Sequence, residues 1–284
     1  MSVATETLPA LPSTGALLVR AALTARGRGG DTVPAVSVRV ADVAVDRHRL
    51  AAYQRLTGFP VSDTLPHPYP WVLALPVQTA LMVRPDFPLA LPGLVHLSSR
   101  ATGTRAVDAA EPLTLEVTAG DLRPHRRGRT VTTRVEASAG GETVWTCENV
   151  YLSRGPGEDA APRDAVPDAP TGPPAARWRL PADLGRRYAA VSGDVNPIHL
   201  HPLTARPLGF PRPIAHGTWT WARTVAALGR VAAGAVTTHV RFTRPVPLPS
   251  TVELVRAGGD GLVTAALRSS RDPGGTHLVL TAER

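Results

Sequence analysis

"YQRLTG" (Tyr53–Gly58) and "YAAVSG" (Tyr188–Gly193) follow one pattern, residue 188 standing against residue 53 at an offset of 135. An Asp- and Arg-containing start precedes each, "VDRHRLAA" and "PADLGRR", and a Pro-rich turn, an apolar stretch and several alternating runs follow. Self-similarity on this scale marks a duplicated unit. In the first copy the alternating runs are "LVHLSSRATGTRAV", "PLTLEVTAGDL", "RTVTTRVEAS" and "ETVWTCENVYL". In the second they are "AVTTHVRFTRPV", "STVELVRAG", "LVTAALRSS" and "HLVLTAE". Val, Thr and Leu alternating with polar residues predict half-buried antiparallel strands.

A helix precedes each meander. "GTWTWARTVAALGRVAAG", Gly217–Gly234, is Ala-rich and free of proline, long enough for about four turns, with a threonine near its start as candidate cap and Gly234 as its stop. A shorter helix begins at Pro181 and runs through "DLGRRYAAVS", with Gly193 placed as its C-terminal cap. One long helix wrapped by an antiparallel meander is an α+β unit, and two fused copies can join their sheets edge to edge. Between the copies, "RGPGEDAAPRDAVPDAPTGPPAAR" (154–177) has no apolar periodicity and reads as an exposed linker. The expected organisation is an extension over 1–30, a first unit over 31–153, the linker over 154–177 and a second unit over 178–284.

Composition excludes several functions. Of 284 residues 43% are hydrophobic, enough for a substantial core. All the basic residues are arginines, so Schiff-base and P-loop lysine chemistry is absent. The net charge of +8 is densest in "RPHRRGRT", Arg123–Thr130, which suits a phosphate-bearing partner. No aromatic residue is interleaved with these arginines and no zinc-finger spacing occurs, which disfavours nucleic acid. Cys147 stands alone, so no disulfide framework or cysteine metal cluster is expected. The N-terminal residues lack a signal-peptide pattern, and no run approaches the roughly 20 apolar residues of a membrane span. A cytoplasmic location is the expectation.

Chemistry concentrates in "RRYAAVSGDVNPIHLHP", Arg186–Pro202. Asp194 and His199 on one helix would point about 140° apart; a turn through Pro197 lets both face one cavity, where they could hold a water and pass protons. Two blander readings stand beside this one. Asp194 and Asn196 could merely hydrogen-bond their own backbone, or Asp194, His199 and His201 could ligate a metal. Downstream, "FPRPIAHGTWTW" sets His216-Gly217 at the start of the long helix. There unpaired backbone N–H groups carry partial positive charge, and a glycine lets a ligand oxygen approach. An acid/base pair beside an oxyanion donor suffices for proton transfer next to a thioester carbonyl.

"YAAVSGDVNPIH" followed by "FPRPIAHG" resembles the signature of the MaoC-like, R-specific enoyl-thioester hydratases (hydratase 2), which have the hotdog fold. Tyr188, Ser192-Gly193-Asp194, Asn196-Pro197, His199 and Ala215-His216-Gly217 carry the resemblance. The two-part layout resembles the fused double-hotdog members, including actinobacterial 3-hydroxyacyl-thioester dehydratases, which keep the motif in the C-terminal half only. At offset 135 Asp194 falls on Phe59, Asn196 on Val61 and His199 on Thr64, so the first copy lacks the chemistry.

The resemblance implies reversible syn hydration of a trans-2-enoyl thioester to the (3R)-3-hydroxyacyl thioester. Asp194 and His199 would activate the water, Gly217 N–H would bind the thioester oxygen and Asn196 would orient the turn or the water. Ser192, Tyr188 and His216 would support them, and His201 would be structural. No metal or other cofactor is implied. The partner would be coenzyme A or acyl carrier protein, with Arg126 and Arg127 as a landing surface. One chain would act as a pseudo-dimer or pair again as a homodimer. A hotdog thioesterase and a catalytically idle acyl-thioester-binding subunit remain as alternatives.

Overall fold

The structure is a computed structural model that describes residues 4–25, 28–158, 161, 167–232, 234–259, 261–272 and 274–284. Its strands are β1 (Ala4–Leu8), β2 (Val36–Val43), β3 (Leu94–Gly103), β4 (Leu113–His125), β5 (Gly128–Ala139), β6 (Glu142–Arg154), β7 (Ala176–Leu180), β8 (Val236–Phe242), β9 (Ser250–Gly258), β10 (Leu262–Ser269) and β11 (Thr276–Glu283). The helices are α1 (Thr14–Leu23), α2 (Arg47–Thr57), α3 (Tyr69–Met82), α4 (Leu184–Ser192), α5 (Pro202–Ala205) and α6 (Gly217–Leu228).

All the strands belong to one sheet, in the order β1-β2-β4-β5-β6-β3-β8-β11-β10-β9-β7. Outward from the β3–β8 pair, the N-terminal half runs β3, β6, β5, β4, β2 and the C-terminal half runs β8, β11, β10, β9, β7, so every strand except β1 has a counterpart. β3 meets β8 antiparallel, Ser98–Gly103 against Arg241–Val236, and the Thr102 and Thr237 hydroxyls lie 3.0 Å apart across the joint. Antiparallel pairing of equivalent edge strands is what a local two-fold axis generates. α2 packs on α4 across the same axis, with the rings of Tyr53 and Tyr188 6.0 Å apart. Gly58 and Gly193 cap these two helices at φ 86° and 76°, left-handed conformations that glycine adopts without a Cβ penalty. One apolar cluster runs through both halves, from Leu115 and Val135 to Trp221 and Leu254. This is the α+β double-hotdog architecture.

Every alternating run quoted above is a strand. Three strands, β1, β2 and β7, were not anticipated. β1 pairs in parallel with β2, inside the stretch expected to be an extension. Ala176 and Arg177, expected at the end of the linker, instead open β7, which pairs with β9 from Ala176↔Leu254 to Leu180↔Ser250. The long helix also differs from expectation. His216 is its N-cap residue, without a side-chain cap bond, and Gly229 at φ 59° ends the α-helix before a 3-10 turn over Gly229–Ala232. The carbonyl of residue 226 then bonds the Gly229 N–H, so the helix tightens and stops short of Gly234.

The halves differ most between their helices. Residues 58–68 join α2 to α3, whereas residues 193–216, more than twice as long, join α4 to α6 and carry α5 with two 3-10 turns. No helix among the described residues is long and apolar enough to cross a membrane.

Candidate active site

The turn after α4 is built from two nested Asx contacts. Asp194 Oδ1 accepts the Asn196 N–H at 3.2 Å, and Asn196 Oδ1 accepts the Ile198 N–H at 3.3 Å, capping the 3-10 turn Pro197–His199. The buried Ser192 hydroxyl accepts the Asp194 N–H at 3.1 Å. The bland reading of this turn therefore holds for one carboxylate oxygen of Asp194 and for Asn196 Oδ1. Asp194 Oδ2 is left over, 3.9 Å from His216 Nε2.

Two buried imidazoles complete the cluster. His199 Nδ1 donates to the Ile214 carbonyl at 2.8 Å, because a carbonyl can only accept; this fixes the tautomer and leaves the lone pair on Nε2. His216 Nε2 likewise donates to the Asp194 carbonyl at 3.0 Å, leaving its buried Nδ1 without a partner. The rings stack, 3.7 Å between centroids and 28° between planes, and Tyr188 covers His216 at 4.9 Å. Burial pushes both imidazoles down to about 3, with the neighbouring His216 adding to the effect on His199 while Asp194 and the Ile214 carbonyl oppose it. Both are neutral near pH 7, as a proton acceptor must be. Gly185 in α4 lets the turn seat this closely, since a Cβ there would stand 1.9 Å from the His199 carbonyl oxygen.

Asp194, His199 and His216 each bring one ligand-capable atom within 4.8 Å of the others. A metal binds an imidazole along its in-plane lone pair. Stacked rings direct those lone pairs side by side rather than to one point, and His216 Nε2 already holds a carbonyl. The arrangement suits proton handling better than metal ligation. His201 is not in the cluster: its Nδ1 accepts the Leu203 N–H at 3.2 Å and caps α5, a structural role as expected, so the alternative of a metal ligand lapses.

Gly217 is the first residue of α6, and the N–H groups of that first turn have no intrahelical acceptor. A Cβ on Gly217 would lie 3.1–3.3 Å from the Phe242 ring, so a side chain there would crowd that ring. Phe242 leads into the N-terminal half. Its ring is 5.0 Å from that of His96, which stacks on Tyr151 at 4.5 Å. Gln78 donates to the Tyr151 hydroxyl at 2.8 Å, and Asn149 accepts from Trp71 and Ser99 at 3.1 and 2.7 Å, so this wall is locked. Burial, above all, holds the Tyr151 phenol well above its usual range, and the Asp194 charge adds to the shift. Sequence reasoning missed His96, Tyr151 and Phe242, because nothing in a strand's alternation tells which inward residue faces a site. Arg126 and Arg127 are exposed at the turn between β4 and β5.

Burial lowers His67 and His96 to about 4 as well. With His199 and His216 this makes four imidazoles that stay neutral in the folded chain. Below about pH 6.5 the unfolded chain takes up protons that the folded chain refuses, so stability is complete above that pH and falls toward pH 3–4. Urea midpoints at pH 7, 6 and 5 will decrease in that order; a midpoint constant from 7 to 5 would contradict the burial.

A MaoC like domain matches residues 161–260. The "3-hydroxyacyl-thioester dehydratase X" of Mycobacterium tuberculosis is 36% identical over 255 residues, 88% of this chain and 90% of that protein. A crystal structure of HtdX of the same organism superposes with a TM-score of 0.77 at 35% identity, covering 87% of this chain and 98% of the other. A MaoC-like dehydratase from Phytophthora capsici shares the fold at TM-score 0.72 and 19% identity, over 87% of this chain and 95% of its own. Matched along nearly its whole length at this identity, the chain belongs to the MaoC-like 3-hydroxyacyl-thioester dehydratase family.

Proposed function

We propose that the protein is a hydro-lyase that reversibly hydrates trans-2-enoyl thioesters to (3R)-3-hydroxyacyl thioesters. The observation that carries this reading is the Asp194–His199 arrangement beside the first turn of α6, in a chain whose dehydratase relative aligns over 88% of its length. His199, fixed as a base at Nε2 by the Ile214 carbonyl, takes one proton from a water that Asp194 Oδ2 holds by the other. The water oxygen bonds to C3 while electron density moves toward the thioester oxygen, which the Gly217 N–H receives. The proton returns to C2 on the same face, and the base is restored. Phe242 walls the site from β8, and behind it stand His96 and Tyr151 of the N-terminal half. Both halves come from one chain, so the site needs no second copy. His216, held by the Asp194 carbonyl and stacked on His199, positions that ring.

Hydrolysis of the thioester, the alternative from the sequence, would also use a base-activated water; the 36% identical dehydratase relative, aligned over 88% of this chain, favours hydration. The unbroken cluster likewise weighs against an idle subunit. Asp194→Asn and His199→Ala will each lower kcat for crotonyl-CoA hydration by at least ~100-fold, the scale of acid–base catalysis, with circular dichroism unchanged. Loss below tenfold in both would remove the assigned roles.

The carrier is coenzyme A or acyl carrier protein, and both are anionic. Arg126 and Arg127 are offered as its landing surface. Their turn precedes Gly128, and Val131 further along β5 pairs with Tyr151, roughly 13 Å away at strand spacing. Charge reversal of both will raise KM several-fold and leave kcat alone; an unchanged KM at low salt would dismiss the surface.

A further inference from the structure

Arginines from four elements line one depression of about 480 Å³: Arg55 from α2, Arg177 and Arg179 from β7, Arg187 from α4 and Arg223 from α6. That volume lies within the roughly 300–1,000 Å³ range of small-molecule sites. Of these, Arg177 meets an acid, with Nε and Nη2 on Glu253 Oε1 at 3.1 and 2.6 Å, and Glu253 also takes Arg268 at 3.2 Å. The guanidinium groups of Arg55, Arg179 and Arg187 have neither an ion pair nor a hydrogen bond among the described residues, and Asp183, one turn before Arg187, forms no ion pair with it. Arg223 is half-buried, its guanidinium 4.5 Å over the Trp178 ring and one N–H on the Thr57 carbonyl at 3.2 Å. Burial lowers its pKa, and no carboxylate opposes the shift. Gly58 makes room for this group, since a Cβ there would collide with Arg223 Nη1. The catalytic turn lies elsewhere: Gly185 of α4 faces the His199 carbonyl, and Arg187, two residues on, points about 200° further round the helix.

We propose that this pocket is a second, non-catalytic site for a small molecule carrying two phosphate groups, distinct from the thioester that is turned over. With Arg177 set against Glu253, the other arginines of the lining leave four positive charges, Arg55, Arg179, Arg187 and Arg223, which two phosphate groups of about −1.5 to −2 each balance. One phosphate group would leave about half of that charge unanswered. Guanidinium forks take phosphate oxygens in pairs, and the stacking on Trp178 holds the Arg223 fork in place before a ligand arrives. The inference stands apart from the hydratase reading, since none of these residues enters that reaction.

The test is calorimetric titration of inorganic pyrophosphate into the full chain, in about 0.1 M salt so that charges more than about 10 Å away are screened. The proteins are wild type, Arg223→Gln, the pair Arg55→Gln with Arg187→Gln, and the pair Arg20→Gln with Arg39→Gln, each first checked for cooperative thermal unfolding. Arg20 and Arg39 are exposed in the N-terminal half, so their pair removes the same charge elsewhere. Wild type is expected to bind pyrophosphate saturably at one site per chain. Arg223→Gln and the Arg55 and Arg187 pair are each expected to bind at least about tenfold more weakly, the worth of one charge-assisted hydrogen bond, with the remote pair unchanged. Should Arg223→Gln not fold, the exposed Arg55 and Arg187 pair decides. Saturating pyrophosphate is expected to leave KM for crotonyl-CoA unchanged. No saturable binding, or equal weakening by the remote pair, would overturn the proposal. So would a rise in that KM with pyrophosphate that Arg223→Gln abolishes, which would assign these arginines to the substrate's own carrier. Absence of turnover on crotonyl-CoA would count against the hydratase reading alone, and the titration would still decide this one.

Discussion

The antiparallel pairing of β3 with β8 joins the two halves into one sheet, and most other features follow from it. Because the paired strands are equivalents, the pairing creates a local two-fold axis and sets α2 against α4 across it. It also brings Phe242, at the end of β8, against both Gly217 and the His96–Tyr151 stack. A residue of the second half thus seals the helix start while touching the wall supplied by the first. Separated halves would expose that seam and leave the site open on one side.

Two-fold duplication yields two possible sites, and the chain has made them unequal by the length of one connection. The 193–216 segment has room for nested turns that spend one oxygen of Asp194 on the backbone and spare the other. It also returns to place His216 flat against His199. The 58–68 segment has no such room and has Phe59 and Thr64 where the acid and base would stand. Burial serves the live site in two ways: it keeps both imidazoles neutral and it excludes competing water. The cost is acid sensitivity, since His67, His96, His199 and His216 resist protonation only while the fold holds.

Much of this was legible in the sequence where the signal is local. The Tyr–Gly repeat marked the duplicated unit, Gly193 was legible as a helix cap, and the alternation of Val, Thr and Leu located eight strands. The turn residues Asp194 and His199 were identified from the motif. What escaped depends on distant neighbours. β1 and β7 are five residues each, and the pattern in "ARWRL" becomes a strand only because β9 offers an edge. The stacking of His199 on His216 joins residues separated by α5 and a proline-rich stretch, so no spacing rule reveals it. Gly229 inside an Ala-rich helical run is tolerated in many helices; here its positive φ ends the helix, which pattern alone does not decide.

The chemistry assigned to the C-terminal turn and α6 is addition of water to one face of an enoyl thioester. Chiral analysis of the alcohol formed from crotonyl-CoA, with free thiol followed in the same reaction, tests it most directly. The account predicts the (3R)-3-hydroxyacyl thioester as the sole alcohol and no release of coenzyme A. A (3S) or racemic product, or thiol release in step with substrate loss, would contradict it.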